Sequence, residues 1–209
     1  MPRDFDTAAK TWDADEARKQ MSLAIAEAAV ESLGLTGKET ALDYGTGTGA
    51  LALLLHSRVH QVVAADSSPG MLAVLNGKIA AAGAENISTL LLDIDRDEPT
   101  HLDFRPDVMT SAMTLHHVKD TARFARTAFD LLAPGGRVAL ADLDTEAGDF
   151  HADNTGVEHF GFDRDALEKT FAAAGFVDIH WSTAYRAERQ TPTGQKIFTI
   201  FLLNARRPQ

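Results

Sequence analysis

The sequence predicts a doubly wound α/β fold with seven strands, mostly parallel, and a C-terminal antiparallel hairpin. Three observations carry this. An apolar run, Ala41-Leu42-Asp43-Tyr44, leads into glycines at alternate positions (Gly45, Gly47, Gly49) and then the aliphatic stretch Ala50–Leu55. That is the pattern of strand, tight turn and helix. Short apolar runs then alternate with helical segments, and two of them stop at acids, Asp66 and Asp93; such alternation builds a parallel sheet. Lastly, strand-like segments 176–185 and 196–204 are joined by 186–195, too short for a helical crossover, so they pair antiparallel.

The 209 residues suit one domain with a real core, expected as a single unit over 1–209 with 1–36 as a helical N-terminal segment or lid. The apolar fraction of 44% and charged fraction of 24% are ordinary for a soluble globular protein. Twenty basic against 30 acidic residues give a net charge of −10. With no Lys/Arg cluster to offset it, this argues against nucleic acid or an anionic membrane as partner. The absence of cysteine excludes disulfides, thiolate metal sites and cysteine nucleophiles. No 18-residue apolar run exists, so no transmembrane helix is expected. The start, Met1 to Asp6, lacks the apolar region of a signal peptide, and a cytoplasmic location is expected.

The glycine turn comes first. Without Cβ atoms, Gly45, Gly47 and Gly49 let a ligand lie against the backbone, with the first N–H groups of the following helix pointing at it. Gly45, Gly47 and Ala50 also fit a dinucleotide fingerprint, so an NAD-dependent oxidoreductase stays open. Asp43 leans the other way. A carboxylate at the mouth of the turn repels a pyrophosphate and attracts a cation, and S-adenosylmethionine (SAM) carries an ammonium and no phosphate. Asp66 ends the second strand, Gln61–Asp66, 17 residues after Gly49. Its two acceptor oxygens suit adjacent ribose hydroxyls, which both cofactors have.

Asp43-x-Gly45-x-Gly47-x-Gly49 resembles the first motif of the class I SAM-dependent methyltransferases, and later segments match that family in order over roughly 5–208. The resemblance implies a Rossmann-like methyltransferase fold and methyl transfer from SAM to a small organic acceptor. The displacement would be in-line, without a covalent enzyme intermediate, leaving S-adenosylhomocysteine (SAH). Thr46 in the turn and Ser67 after Asp66 join the implied cofactor-binding positions.

The remaining elements follow in order. Residues 15–33 read as a helix with Met21, Ile25, Ala28 and Ala29 on one face, ended by Gly34 and Gly37. Ahead of it, Phe5 and Trp12 resemble the aromatic segment that covers the cofactor in this family, Trp12 being the contact; plain hydrophobic anchors would look the same. A helix over 49–58 follows the turn. Ser67, Ser68 and Pro69 cap and start the next helix, which runs to Ala82 and stops at Gly83. Met71 and Leu72 begin its apolar face, and Met71 is the expected adenine contact. The third strand, 87–92, ends at Asp93. By resemblance, Asp93 lies near the adenine amine and the Ile94 N–H near the ring, while the acids through Glu98 form a solvated loop.

The fourth strand, Val108–Ala112, leads to Ala112 and Met113, which by resemblance line the methionine moiety. His116 and His117 follow; one braces the turn, and His117 is a candidate general base because imidazole titrates near neutrality. Asp120 or Thr121 caps a helix burying Phe124, Ala128, Leu131 and Leu132, and Pro134-Gly135-Gly136 turns into the fifth strand, 137–142. Residues 142–162 show little periodicity beside the expected methyl group and read as a functional loop. Asp142, Asp144, His151 and His159 there are candidate substrate contacts, and Asp144, His151 and His159 join His117 as catalytic candidates. Their spacing matches no standard ligand motif, and no metal is expected. Asp163 caps a helix with Leu167, Thr170, Phe171 and Ala174 on one face, ended by Gly175.

A sulfonium methyl is already activated, so such a protein mainly aligns and desolvates the nucleophile. Ser111-Ala112-Met113-Thr114 stands where an Asn/Asp-Pro-Pro-Tyr segment would mark enzymes acting on adenine amines or glutamine amides. A small-molecule acceptor is therefore expected. A non-catalytic SAM-binding protein is a third reading, which fold alone does not separate from an enzyme.

Overall fold

The computed structural model describes residues 4–96, 102–192 and 194–209. Its strands are β1 (Thr40–Tyr44), β2 (Gln61–Asp66), β3 (Ile87–Leu91), β4 (Val108–Ala112), β5 (Arg137–Leu143), β6 (Val177–Thr191) and β7 (Gly194–Arg206). They form one sheet in the order β3-β2-β1-β4-β5-β7-β6. The first five in that order pair in parallel, and β7 lies antiparallel between β5 and β6. The chain steps outward from β1 to β3, then returns to place β4 on the other side of β1. That reversal opens a crevice at the carboxyl ends of β1 and β4, where ligands of such sheets bind.

The helices are α1 (Phe5–Ala9), α2 (Glu16–Ser32), α3 (Ala50–Leu55), α4 (Pro69–Ala82), α5 (Thr121–Leu131) and α6 (Arg164–Ala173). α2, α3 and α4 cover one face of the sheet, packing Ile25, Ala29, Leu55 and Leu75 into its core. α5 and α6 cover the other through Phe124, Leu132 and Phe171 against Phe201. Burial on both faces explains why β1, β2, β4 and β5 are near-continuous apolar runs. Cap residues set the helix starts: Asp15, Ser68, Asp120 and Asp163 each accept a hydrogen bond from the third backbone N–H onward. Gly83, in the left-handed region, ends α4.

Several boundaries depart from the sequence reading. α3 stops at Leu55 rather than Arg58, β3 at Leu91, and β5 reaches Leu143. α2 buries Met21, Ile25 and Ala29 as expected, but Ala26 and Val30 instead of Ala28. The larger correction is the hairpin. Residues 186–191 are not a linker; Arg186 to Thr191 pair with Thr199 to Gly194 in continuous register. Only Ala187 and Thr191, four residues apart, are buried there, so the segment is mostly polar and shows no apolar run. The acids 97–98 lie outside the described residues. No described helix is long and apolar enough to cross a membrane.

Candidate active site

A cavity of about 980 Å³ opens at the carboxyl ends of β1, β2 and β4. Its floor is the turn after β1. Gly45 has φ +68°, and a Cβ there would fall 2.2 Å from the Thr114 side chain, whose hydroxyl donates to the Gly45 carbonyl at 3.2 Å. At Gly47 an added Cβ would meet nothing within 4 Å. Gly45, Thr46 and Gly47 line the cavity; Gly49 does not. A Cβ on Gly49 would lie 2.2 Å from Leu75 Cδ1, so the third glycine also lets α3 pack closely on α4.

Asp43 closes β1 and is 1% exposed. It accepts from the hydroxyls of Thr46 at 2.7 Å and Thr110 at 2.8 Å. Burial pushes its carboxyl up to about 6, the two hydroxyls pull the other way, and nearby Asp66 adds to the rise. Asp66, at the end of β2, accepts from the N–H of Gly47 at 2.7 Å and of Ser68 at 2.9 Å. These bonds aim it at the turn, while burial raises its carboxyl above the usual range. Ser67, Met71 and Asp93 also line the cavity.

Ile94 does not line the cavity. Its backbone N–H donates to Tyr44 Oη at 3.1 Å, and its side chain is buried in the core. Tyr44, which sequence reading passed over, therefore fastens the loop after β3 to the floor. Asp95 was also missed. It lines the cavity, and its carboxylate accepts from the Lys119 N–H at 3.1 Å, tying that loop to the segment after β4.

The roof is the N-terminal segment: Phe5, Trp12, Asp13 and, from α2, Arg18, Lys19, Ser22 and Leu23. Two acids that carried no local signal latch it down. Asp6 accepts from Ser68 Oγ at 2.6 Å and the Gly70 N–H at 2.7 Å, at the start of α4. Asp13 accepts from Thr48 Oγ1 at 2.8 Å and pairs with Lys78 at 2.7 Å. The Trp12 ring lies under the Arg18 guanidinium at 4.6 Å, and Phe5 meets the His117 ring edge-on at 5.1 Å.

At the end of β4, Ala112 and Met113 line the cavity, and Met113 takes a left-handed φ of +54° with its N–H on the Ala141 carbonyl at 2.8 Å. His117 lines it as well, donating from Nδ1 to the Gly156 carbonyl at 2.7 Å. His116 turns inward, with Nδ1 2.8 Å from Asp142 Oδ1. Burial works against the charge on Asp142, but the His116 ring and the N–H groups of Leu143 and His116 outweigh it and hold the carboxyl below its usual range.

Two catalytic candidates are engaged with other partners. Asp144 is held by Arg164 through two bonds, 2.7 and 2.8 Å. His159 Nε2 donates to the Val118 carbonyl at 3.0 Å. Neither lines the cavity, nor does His151, whose ring lies 5.0 Å from that of His116. From the expected loop only Gly156 and Glu158 reach the wall, and Asp142 and Leu143 belong to β5. Among the described residues, no group of three or more histidines and carboxylates could hold a metal ion.

A seven-stranded sheet with an inserted antiparallel β7, a GxGxG turn after β1 and acids closing β1 and β2 define the class: this is the Rossmann-like fold of the class I methyltransferases. The chain belongs to the methyltransferase-domain family, whose model matches residues 14–180. That membership sets aside the NAD-dependent oxidoreductase. An uncharacterized methyltransferase of Schizosaccharomyces pombe is 34% identical over 134 residues, 57% of this chain and 46% of that protein. A demethylmenaquinone methyltransferase of Thermus thermophilus is 35% identical over 104 residues, 49% of this chain and 46% of that protein. The matches thus span about half the length of these relatives. Among solved structures, a Haemonchus contortus phosphoethanolamine N-methyltransferase in complex with SAM superposes with a TM-score of 0.69 at 18% identity. It covers 88% of this chain and 52% of that one.

Proposed function

We propose that the roofed cavity binds SAM along its acidic wall and admits a small organic acceptor to the end formed by β4. The observation that carries this is the wall itself: Asp43, Asp66, Asp93 and Asp95 all line one cavity. Such a wall suits a cationic cofactor without phosphates and repels a pyrophosphate. Asp66 would accept from the ribose hydroxyls, Asp43 and Thr46 would face the ammonium end, and Ser67, Met71 and Asp93 would flank the nucleobase. Ala112 and Met113 would border the methionine chain. When bound, SAM supplies a methyl group already activated by a sulfonium. Trp12 and Phe5 exclude water over it, and the latches at Asp6 and Asp13 hold them there.

Calorimetric titration with SAM, SAH and NAD in parallel tests the assignment. Micromolar binding of SAM and SAH without NAD supports it, and binding of NAD alone overturns it. Because one relative is named for demethylmenaquinone, that quinone in reduced form belongs in the first acceptor screen.

Two predictions follow from the floor and the roof. A Cβ at Gly70 would lie 2.7 Å from Asp6 Cα and 2.8 Å from its carbonyl oxygen. Gly70→Ala should therefore lift α1 off α4. Hydrogen exchange over 4–14 should accelerate and SAH affinity fall about fivefold (roughly 1 kcal/mol) with the fold intact. Unchanged exchange would mean that Asp6 does not latch the roof.

The second concerns pH. With the folded carboxyl of Asp43 at about 6, above its ordinary 3.8, the free protein holds a proton there that the unfolded chain releases. The stability from this group is full below pH 3.8 and is lost as pH rises through about 6. Binding of an ammonium requires the ionised form, so SAH affinity should rise roughly tenfold from pH 5 to pH 7. Asp43→Asn should flatten that slope, and an equal slope in the variant would remove Asp43 from cofactor binding.

A further inference from the structure

We infer that His117, backed by the buried Asp142–His116 pair and by His151, is the base that takes a proton from the acceptor, so the acceptor is an O–H or C–H acid such as a phenol, a hydroquinone or an activated carbon. The inference rests on the methyl-transfer reading of the cavity and deepens it.

Three imidazoles from two segments meet at the end of β4. The ring centroids of His116 and His117 are 4.1 Å apart, those of His116 and His151 5.0 Å, and those of His117 and His151 6.2 Å. Of the three, His117 alone lines the cavity. Its Nδ1–H is committed to the Gly156 carbonyl, so in the neutral ring the lone pair sits on Nε2. Behind it, His116 and Asp142 are almost wholly buried, 1% and 0% exposed, and His116 Nε2 is buried with no hydrogen-bond partner among the described residues.

A loop brace does not call for this arrangement. His159 braces the same loop with one bond to a carbonyl. Burying a carboxylate with an imidazole whose second nitrogen is unpaired costs stability, and such costs cluster at functional sites. What the arrangement does provide is a buried, hydrogen-bonded carboxylate behind tilted imidazoles in van der Waals range, a negative charge that favours a proton arriving on His117. Among the described residues, further charged groups lie on the segments beside His117. Lys119 follows on its own turn, Glu158 shares the cavity wall, and Asp4 and Asp6 flank Phe5, with Asp6 turned to Ser68.

The step balances. The acceptor's O–H or C–H proton passes to His117 Nε2. The electron pair left on oxygen or carbon forms the bond to the methyl carbon. The sulfur–methyl bond breaks, its pair stays on sulfur as the neutral thioether of SAH, and His117 then returns the proton to solvent. His117 is the group that touches the acceptor; His116, Asp142 and His151 position it.

Histidine-selective ¹⁵N NMR of the SAH-saturated protein tests this without an acceptor in hand. His117 should be the Nδ1–H tautomer when neutral, and Asp142→Asn should lower its titration midpoint by about one pH unit. The opposite tautomer, or a midpoint indifferent to Asp142→Asn, overturns the inference. Should Asp142→Asn fail to fold, His151→Gln takes its place and should also move the midpoint. In assays with methyl-labelled SAM against phenols, hydroquinones and primary amines, the O–H or C–H acids should be the acceptors. His117→Gln should reduce their kcat at least a hundredfold and remove the acid limb of the pH profile, with SAH affinity within twofold of wild type. Turnover of an amine, undiminished in His117→Gln, overturns it. Calorimetry with SAH on the same samples separates the two readings: normal binding with an indifferent His117 removes only the base, whereas no binding removes the cofactor assignment.

Discussion

Asp66→Ala should weaken SAH binding about a hundredfold, roughly 2.7 kcal/mol, when measured by calorimetry. Two losses add. The carboxylate is the group we assign to the ribose hydroxyls, and hydrogen bonds to a charged partner contribute about 1.5–3 kcal/mol. It also accepts from the N–H groups of Gly47 and Ser68, so it holds the glycine turn to the start of α4. Removing it frees the turn to move, and the cofactor must then order it on binding. Asp66→Asn keeps an acceptor for one of those donors and should fall between, about tenfold weaker than wild type. Unchanged affinity in the alanine variant would sink the ribose assignment.

Gly161→Ala should destabilise the protein by about 3 kcal/mol, through a left-handed backbone combined with a collision that no side chain can relieve. Gly161 has φ +71°, and a Cβ there would lie 2.1 Å from the Asp144 carbonyl oxygen and 2.6 Å from its carbon. The chain after β5 returns at this point, where Asp144 and Phe162 form a parallel bridge and the Phe162 N–H donates to the Leu143 carbonyl at 2.9 Å. Thermal unfolding should show a midpoint lower by about 6–12 °C. Because the same loop supplies Gly156 to His117, the variant should also broaden the His117 resonance. A midpoint within 2 °C of wild type (about 0.5–1 kcal/mol) would mean the loop relaxes around the new methyl.

These two substitutions differ in how readable their sites are. Asp66 stands at the end of a four-residue apolar run, a fixed distance after a glycine turn, and strand, turn and helix are each written in adjacent residues. Gly161 sits in a stretch without periodicity. Its role depends on Asp144, distant in sequence, so nothing local marks it. The same holds for the roof latches. Asp6 reaches Ser68, 62 residues away, and Asp13 reaches Thr48, 35 away. Tyr44 to Ile94, a further 50, and Asp95 to Lys119 complete the set. At Asp144 and His159 the residue types suggested chemistry, and the tertiary structure gives them the partners Arg164 and the Val118 carbonyl.

The sequence by itself determined the order of the elements, the limits of β2 and β4, the helix caps, the glycine turn and the two acids closing β1 and β2. Each of these follows from local sterics, periodic burial or hydrogen bonds between near neighbours. Only the tertiary structure decided which polar side chains face the cavity and which hold the walls. It turned His116 inward and left His117 in the wall, though they are adjacent and chemically identical. The reason is physical: a buried polar group takes its function from the partner that satisfies it, and that partner comes from a distant part of the chain.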